Sequence, residues 1–272
     1  MSEPLPISVH ILTYNSAKTI ARAIESVRGC SEVLVIDGGS TDDTRTIAQE
    51  HGARIIEQRP QEEQGTPLVN FAEARNRGLQ AASKNWILAL DSDEYASEEL
   101  MEELRNLTQT GAPCACWIPR KYITTANRIV THATTYPNAR LYFFHKDVVT
   151  EWVKPVHEKP ELQPGTPIHE LKGASMAPLG SREEYKQKNL RYLQIEVESD
   201  GNSSWLHWFL HRVLHTLRSR SVAFVKLLWI WLLPHKNCVR LPLNHELLRF
   251  WYGWKLIVAT CPLTRRSHEN TH

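Results

Sequence analysis

No stretch of this sequence is both long enough and apolar enough to span a bilayer. The most apolar run, Val222 to Leu233, is about a dozen residues long and contains Lys226, whereas a spanning helix takes about 20. Such a segment can lie in a membrane rather than cross one. An excess of one charge is also missing: 32 Lys and Arg stand against 30 Asp and Glu, a formal net charge of +2. No basic run interleaved with aromatics covers the first 150 residues, so no nucleic-acid partner is expected. Cysteine is sparse. Cys30, Cys114, Cys116, Cys238 and Cys261 form neither a paired framework nor a CxxC zinc pattern, which suits a reducing compartment. Cys114 and Cys116 flank Ala115 in an apolar run and are expected on one face of a buried strand. Met1 to Pro6 holds no positive region followed by a long apolar stretch, and Ile7 to Leu12 is too short for a signal-peptide core. A cytoplasmic location is expected. Neither an internal repeat nor a low-complexity tract is present. A hydrophobic fraction of 42% and a charged fraction of 23% exclude collagen, wholesale disorder and a polytopic membrane protein.

What is present is alternation. The first hundred residues interleave short β-branched runs with helical patterns, the pattern of crossovers onto a largely parallel sheet. Ile7 to Leu12 reads as the first strand, and Ile20, Ile24 and Val27 fall on one face of the helix that follows. Glu32 to Ile36 is the second strand, ending at Asp37. Gly38 to Thr41 form a tight loop before a helix stopped by Gly52. Ala53 to Glu57 is the third strand. A polar loop from Gln58 to Thr66 and a helix through Ala72 to Ala82 lead into Trp86 to Leu90, an apolar run that stops at Asp91-Ser92-Asp93-Glu94. Ligands of open parallel sheets bind beyond the carboxyl ends of strands. On that rule Thr13-Tyr14-Asn15, Asp37 and the acidic cluster converge on one rim. Cys114 to Ile118 and Arg140 to Phe144 read as strands, Glu151 to Gly180 as loops around the site, and Ser181 to Glu198 as a charged helix.

Two carboxylates one residue apart at a strand end suit a hard divalent ion, Mg2+ or Mn2+, which bridges to phosphate oxygens. Asp91 and Asp93 fit that need, with Glu94 beside them. The bland alternative is helix capping, because Ser97, Glu98 and Glu99 start a helix here. Asp37 can accept a hydrogen bond from a nucleobase or a ribose hydroxyl, or it can simply belong to an Asp-Gly-Gly turn. Arg75 and Asn76, on the helix leading into the acidic strand, offer a cation and an amide to a diphosphate, or else a solvated helix face.

The ordered set of Thr13-Tyr14-Asn15, Val35-Ile36-Asp37-Gly38-Gly39-Ser40-Thr41-Asp42, Ala74-Arg75-Asn76 and Trp86 through Glu94 resembles family 2 glycosyltransferases. Within them it is most similar to the bacterial lipopolysaccharide core glucosyltransferase group. The resemblance covers about residues 7 to 200. It implies an α/β nucleotide-binding domain of the GT-A type with a mostly parallel central sheet, inversion at the anomeric carbon, a nucleotide diphosphate sugar donor of the UDP class, and a lipid-linked or surface-glycan acceptor. Carried over by position, Thr13, Tyr14 and Asn15 line the nucleotide, Asp37 contacts the base, and Asp91 and Asp93 serve ribose and metal. The family's Asp-Asp pair after the second strand is Asp37-Gly38 here. Pro155-Val156-His157-Glu158 resembles the Val-His-Glu element of the group. Glu158 is then the general base that inversion needs, with His157 orienting it or ligating the metal. Where related enzymes carry a further His, this chain has Met176, with His169 seven residues earlier.

The last seventy residues change character. Leu206, Phe209, Leu210, Val213, Leu214 and Leu217 recur at helical spacing opposite His207, His211, His215 and Arg218, an amphipathic basic helix. The histidines lack a neighbouring carboxylate, so interfacial contact is expected of them rather than zinc. Trp251, Trp254, Arg265 and Arg266 add anchors of the kind found at lipid headgroups. The division expected is a catalytic domain over 1–200 and a helical region over 201–272 that associates with the cytoplasmic membrane surface or packs on protein. Two other readings stand beside transfer: an Asp-x-Asp phosphatase, and a non-catalytic, membrane-tethered module that binds a nucleotide sugar or glycan.

Overall fold

In the first strand, Leu5–Thr13 (β1), Ile7, Val9 and Ile11 are wholly buried, and so are Ser8 and His10, which alternate with them. A strand covered on both sides is what a parallel sheet flanked by helices requires. The computed structural model describes residues 3–58, 70–155, 157–199, 204–232 and 237–262. Of the sequence features above, the polar loop beyond Gln58, Val156, Leu233, Arg265 and Arg266 lie outside the described residues. The chain divides into two compact units, Met1–Lys121 with Pro137–Pro178, and Tyr122–Tyr136 with Leu179–His272.

The first unit is built on β1 together with β2 (Cys30–Asp37), β3 (Arg54–Glu57), β4 (Trp86–Asp91), β5 (Tyr95–Ala96), β6 (Ala115–Ile123), β7 (Ala139–His145), β8 (Val149–Val153), β9 (Lys159–Leu162), β10 (Ile168–Glu170) and β11 (Ser175–Pro178). The main sheet runs β3-β2-β1-β4-β7-β6-β11-β5, with β10 on β6, and β8 pairs with β9 separately. Strands β3, β2, β1 and β4 are mutually parallel, whereas β7 is antiparallel to both β4 and β6. This is the α/β arrangement of GT-A type that the resemblance implies, with the parallel character concentrated in the amino-terminal half. Loops are expected over Glu151 to Gly180, yet most of β8 and all of β9, β10 and β11 form there. Each is three to five residues long, and their pairing comes from distant partners that Pro and Gly punctuation conceals.

The helices of this unit are α1 (Ile20–Glu25), α2 (Thr44–Glu50), α3 (Phe71–Ala81) and α4 (Glu98–Thr110). Asn70 caps α3 by accepting from Glu73 N at 3.1 Å. Gly78 lets α3 lie close to the sheet, since a Cβ there would stand 2.4 Å from Ile36 Cδ1. Ser97 caps α4 by accepting from Leu100 N at 3.1 Å, and Gly111 ends it in a left-handed conformation. That helix therefore does not need Asp91 or Asp93 as its cap. Cys114 and Cys116 are buried on the same side of the sheet with their sulfurs 4.0 Å apart. Burial raises both thiol pKa values, which keeps them inert.

The second unit consists of α5 (Arg182–Ser199), a helical run made of α6 (Trp205–His207), a π-helical segment (Trp208–Leu214) and α7 (His215–Leu232), then α8 (Leu243–Ala259) and the excursion Tyr122–Tyr136. Glu246 of α8 is buried and accepts from Thr134 N at 2.8 Å and from the Thr134 hydroxyl. Tyr252 and Arg212 both donate to the Glu196 carboxylate at 2.9 Å. No described helix is long and apolar enough to cross a membrane.

Candidate active site

Parallel register sets the rim. Thr13 pairs with Asp37 across β1 and β2, and Leu12 pairs with both Ile36 and Asp91. The carboxyl ends of three central strands therefore stop level with one another, at the place where open α/β sheets bind ligands.

The loops beyond β1 and β2 are tied together. Asn15 takes a left-handed backbone (φ 49°), which Asn tolerates better than most residues. Its N–H donates to Ser40 Oγ at 2.9 Å, and its Oδ1 accepts from Thr41 N at 2.8 Å. Ser16 N donates to Thr44 Oγ1 at 2.7 Å, and Ser16 Oγ lies 2.8 Å from Ser92 Oγ in the acidic loop. Asp37 is wholly buried and accepts from Gly39 N (3.1 Å), Ser40 N (3.0 Å) and Arg45 Nη1 (3.3 Å). Its carboxylate thus braces its own turn. Tyr14 is half exposed above this loop, and Thr13 is buried with its hydroxyl unpartnered among the described residues.

Asp91, Asp93 and Glu94 each bring a carboxylate oxygen within 4.8 Å of the other two. His157, exposed on the β8–β9 turn with a left-handed backbone (φ 57°), is not part of that group. Asp91 Oδ1 accepts from Arg75 Nη2 at 2.9 Å, and Asp91 Oδ2 accepts from Arg140 Nη1 at 2.6 Å. Glu94 is buried and accepts from Arg120 Nε and Ser175 Oγ. Pairing of β11 with β5 supplies that serine, because Ser175 lies opposite Ala96 and Met176 opposite Tyr95.

Arg75 organises the centre. Its side chain has no solvent exposure, and besides Asp91 it donates from Nε to Glu158 Oε1 at 3.4 Å and from Nη1 to the carbonyl of His10 at 3.2 Å. The guanidinium sits 5.1 Å from the Tyr142 ring centroid and 5.4 Å from that of Trp152, a cation–π enclosure. Tyr142 OH donates to the same Glu158 oxygen at 3.2 Å. The turn carrying Glu158 is fixed to α3 through Asn76. Its Oδ1 accepts from Trp152 N at 2.7 Å, and its Nδ2 donates to Trp152 O at 3.0 Å. Arg75 and Asn76, expected to meet a diphosphate, thus spend these contacts on protein groups.

Electrostatics follow from burial and pairing. Burial by itself would lower the pKa of Arg75 and of Arg140, but neighbouring Tyr142, Asp91 and the glutamates raise both on balance. Burial, then Asp91, pushes the Tyr142 phenol upward. Behind the site His10 is driven down to about 3 by burial, with Arg75 adding to it. Asp91, Glu94 and Glu158 pair with the three guanidiniums of Arg75, Arg120 and Arg140, and Asp93 adds a fourth carboxylate to the cluster. A divalent ion on this all-oxygen set would turn a net negative centre positive, the sign that a diphosphate demands. The donor set fits Mg2+ or Mn2+.

The acidic strand end and Glu158 are legible from sequence, whereas Arg140, Tyr142, Arg120 and Ser175 are not. The available signal is small: in the run Arg140 to Phe144 a cation and a phenol interrupt an otherwise apolar strand.

The sequence model described as Glycosyl transferase family 2 matches residues 8–158. A protein of Rickettsia felis described as an uncharacterized glycosyltransferase is 38% identical over 99 residues, 36% of this chain and 32% of the relative. The lipopolysaccharide core biosynthesis glycosyltransferase LpsC of Rhizobium meliloti is 28% identical over 117 residues, 43% of this chain and 42% of the relative. The chain thus spans about a third of the length of the Rickettsia relative. Among solved structures, glucosyl-3-phosphoglycerate synthase from Mycobacterium tuberculosis, in complex with Mn2+, UDP and glucosyl-3-phosphoglycerate, shares 29% identity over 43% of each chain with a TM-score of 0.35. Because the family match runs from within the first strand to the glutamate of the β8–β9 turn and takes in more than half of the 272 residues, the chain belongs to glycosyl transferase family 2.

Proposed function

We propose that the protein is an inverting glycosyltransferase. It moves a sugar from a nucleotide diphosphate sugar of the UDP class to a lipid-linked or cell-surface glycan, as lipopolysaccharide or polysaccharide assembly requires. One observation carries the reading: a single buried guanidinium, Arg75, joins Asp91 of the acidic pair to Glu158 at the rim where three strands end. The UDP class comes from the family resemblance, and the description of the Rhizobium relative supports the acceptor class.

In this reading Asp91 and Asp93 would hold Mg2+ or Mn2+, with Glu94 beside them as a third carboxylate and His157 orienting Glu158 or ligating the ion. The ion would neutralise charge that grows on the diphosphate as the glycosidic bond breaks. Thr13, Tyr14 and Asn15 line the nucleotide, and Asp37 fixes the turn against which the base is read. Arg140, at the edge of the cluster, faces the phosphates. Arg75 and Asn76 are positioning residues, and His157 shapes the turn that presents Glu158. Glu158 takes the proton of the acceptor hydroxyl while the acceptor oxygen bonds to the anomeric carbon and the diphosphate departs from the opposite face, which inverts that carbon. Catalysis is assigned to residues 1–200. Compactness does not measure catalytic sufficiency, so α5 can group with the second unit and still be needed. The region 201–272 is assigned to attachment at the cytoplasmic face of the membrane.

The replacement Glu158→Gln keeps an oxygen for Arg75 and Tyr142 but removes the base. Donor binding is expected to persist while transfer falls by about a hundredfold or more. Undiminished transfer by this variant would remove Glu158 from the chemistry.

A further inference from the structure

The second unit carries an apolar surface that its own packing leaves open. Along the helical run from α6 to α7, Leu206, Leu210, Leu217, Phe224, Leu228 and Leu232 recur at spacings of four and seven and are 42–74% exposed. Within α7 that spacing puts Leu217, Phe224, Leu228 and Leu232 on one side of the helix, and Leu206 and Leu210 are exposed ahead of it, before and within the π-helical segment. Ala223, Leu227 and Ile230 face inward and are buried, so the helix packs through a different face. In α8, Leu247 and Trp254 repeat the pattern at 52% and 66% exposure. An apolar surface of this extent marks a binding face.

Charge identifies the occupant. Residues 201–272 hold ten Lys and Arg against two Asp and Glu, whereas residues 1–200 hold 22 against 28. One of the two carboxylates, Glu246, is buried on Thr134. Exposed Arg218 and Lys255 stand on the same helices as the apolar stripe. Two copies of so cationic a face repel each other, and an anionic surface attracts it. Indole rings at Trp205, Trp229 and Trp254 suit the depth of lipid headgroups.

We propose that this face of α6, α7 and α8 docks on an anionic lipid bilayer, with the apolar stripe set into the headgroup layer and Arg218 and Lys255 on lipid phosphates. The inference deepens the location proposed above and is independent of the catalytic assignment.

Sedimentation of the full chain with vesicles tests it. Phosphatidylglycerol mixed into phosphatidylcholine should capture the protein, with a blue shift of tryptophan emission. Capture should fall about tenfold or more on pure phosphatidylcholine or in high salt. Phe224→Glu with Leu228→Glu should abolish capture. Arg218→Glu with Lys255→Glu, at exposed positions that leave the fold intact, should weaken it about tenfold or more. No capture of the wild type, or capture of either double variant equal to that of the wild type, overturns the proposal. So does light scattering that finds a wild-type dimer which Phe224→Glu dissociates, because a second copy then covers the face. Nucleotide binding measured on the same samples separates the two readings. Donor binding without vesicle capture sinks only the docking face, and vesicle capture without donor binding sinks only the transferase assignment.

Discussion

Arg75 Nη2 donates to Asp91 Oδ1 across 2.9 Å although the Arg75 side chain reaches no solvent at all. A guanidinium buried this way is held by what surrounds it, here two carboxylates, two aromatic rings and the strand carbonyls of His10 and Leu90. Its rigid planar fork can meet Asp91 and Glu158 together, which the point charge of a lysine cannot. Arg75→Met keeps the length and removes the charge. It should destabilise the protein by about 3–5 kcal/mol in urea unfolding, since breaking a buried pair strands its partners. A variant as stable as the wild type contradicts the organising role given to this side chain.

Arg140 is the counterpart on the open side. About a third of its side chain is exposed, and it reaches Asp91 at 2.6 Å and Glu94 at 3.9 Å. Its loss should change binding more than folding. For Arg140→Ala the expected result is a melting temperature close to wild type and donor affinity lower by about ten- to a hundredfold, the worth of one or two charge-assisted hydrogen bonds. Calorimetric titration of the donor on the variant measures it, and unchanged affinity removes Arg140 from the phosphate site.

His10 supplies a pH dependence that is separable from the chemistry. It is enclosed in β1 with neither ring nitrogen hydrogen-bonded among the described residues, and burial, then Arg75, lower its pKa from 6.5 to about 3. Glu32 opposes the shift and Lys146 adds to it. A depressed histidine protonates in the unfolded chain before it does in the folded one. Stability through His10 is therefore full above pH 6.5 and is lost as pH falls towards 3, by about 1.4 kcal/mol for each unit. Between pH 6.5 and 4.5 the wild type should lose about 2 kcal/mol more than His10→Gln. Parallel stability curves for the two proteins contradict the assignment.

Asn76 should behave as architecture. Replacing it with Ala removes both bonds to the Trp152 backbone and strands a buried N–H, at a cost of about 1–3 kcal/mol. Transfer should fall through a displaced Glu158, while nucleotide affinity stays within about twofold of wild type because no direct contact is lost. A large drop in nucleotide affinity with unchanged stability restores Asn76 as a donor ligand.

These residues mark where sequence reading reached and where it stopped. The strands ending at Thr13, Asp37 and Asp91 were legible because each is a short, largely apolar run that ends in a polar group, and parallel crossovers bring such ends to one side. Arg140 was hidden because it returns on an antiparallel strand 49 residues after Asp91, and no local periodicity records that pairing. The segment Glu151 to Gly180 was hidden for a related reason, its strands being too short to show alternation. Asp37 and Asn76 were legible as polar groups near the rim, but which polar partner each one faces is settled by loop geometry rather than by spacing. In the carboxyl-terminal helices the apolar period was legible. That much of it faces outward depends on which side the neighbouring helices cover. The phosphatase alternative rested on Asp91 and Asp93 alone and gives way to the family match over residues 8–158.

In the proposed function the acidic pair binds a nucleotide diphosphate sugar through a divalent ion. Calorimetric titration of UDP, GDP, TDP and CDP sugars, with and without Mn2+, tests it most directly on the wild type and on Asp91→Ala. Binding of one nucleotide class, UDP, is expected to require the ion and to disappear in the variant while the fold persists. Absence of binding for every donor by a folded wild-type protein, or binding that is indifferent to both the ion and Asp91, contradicts it.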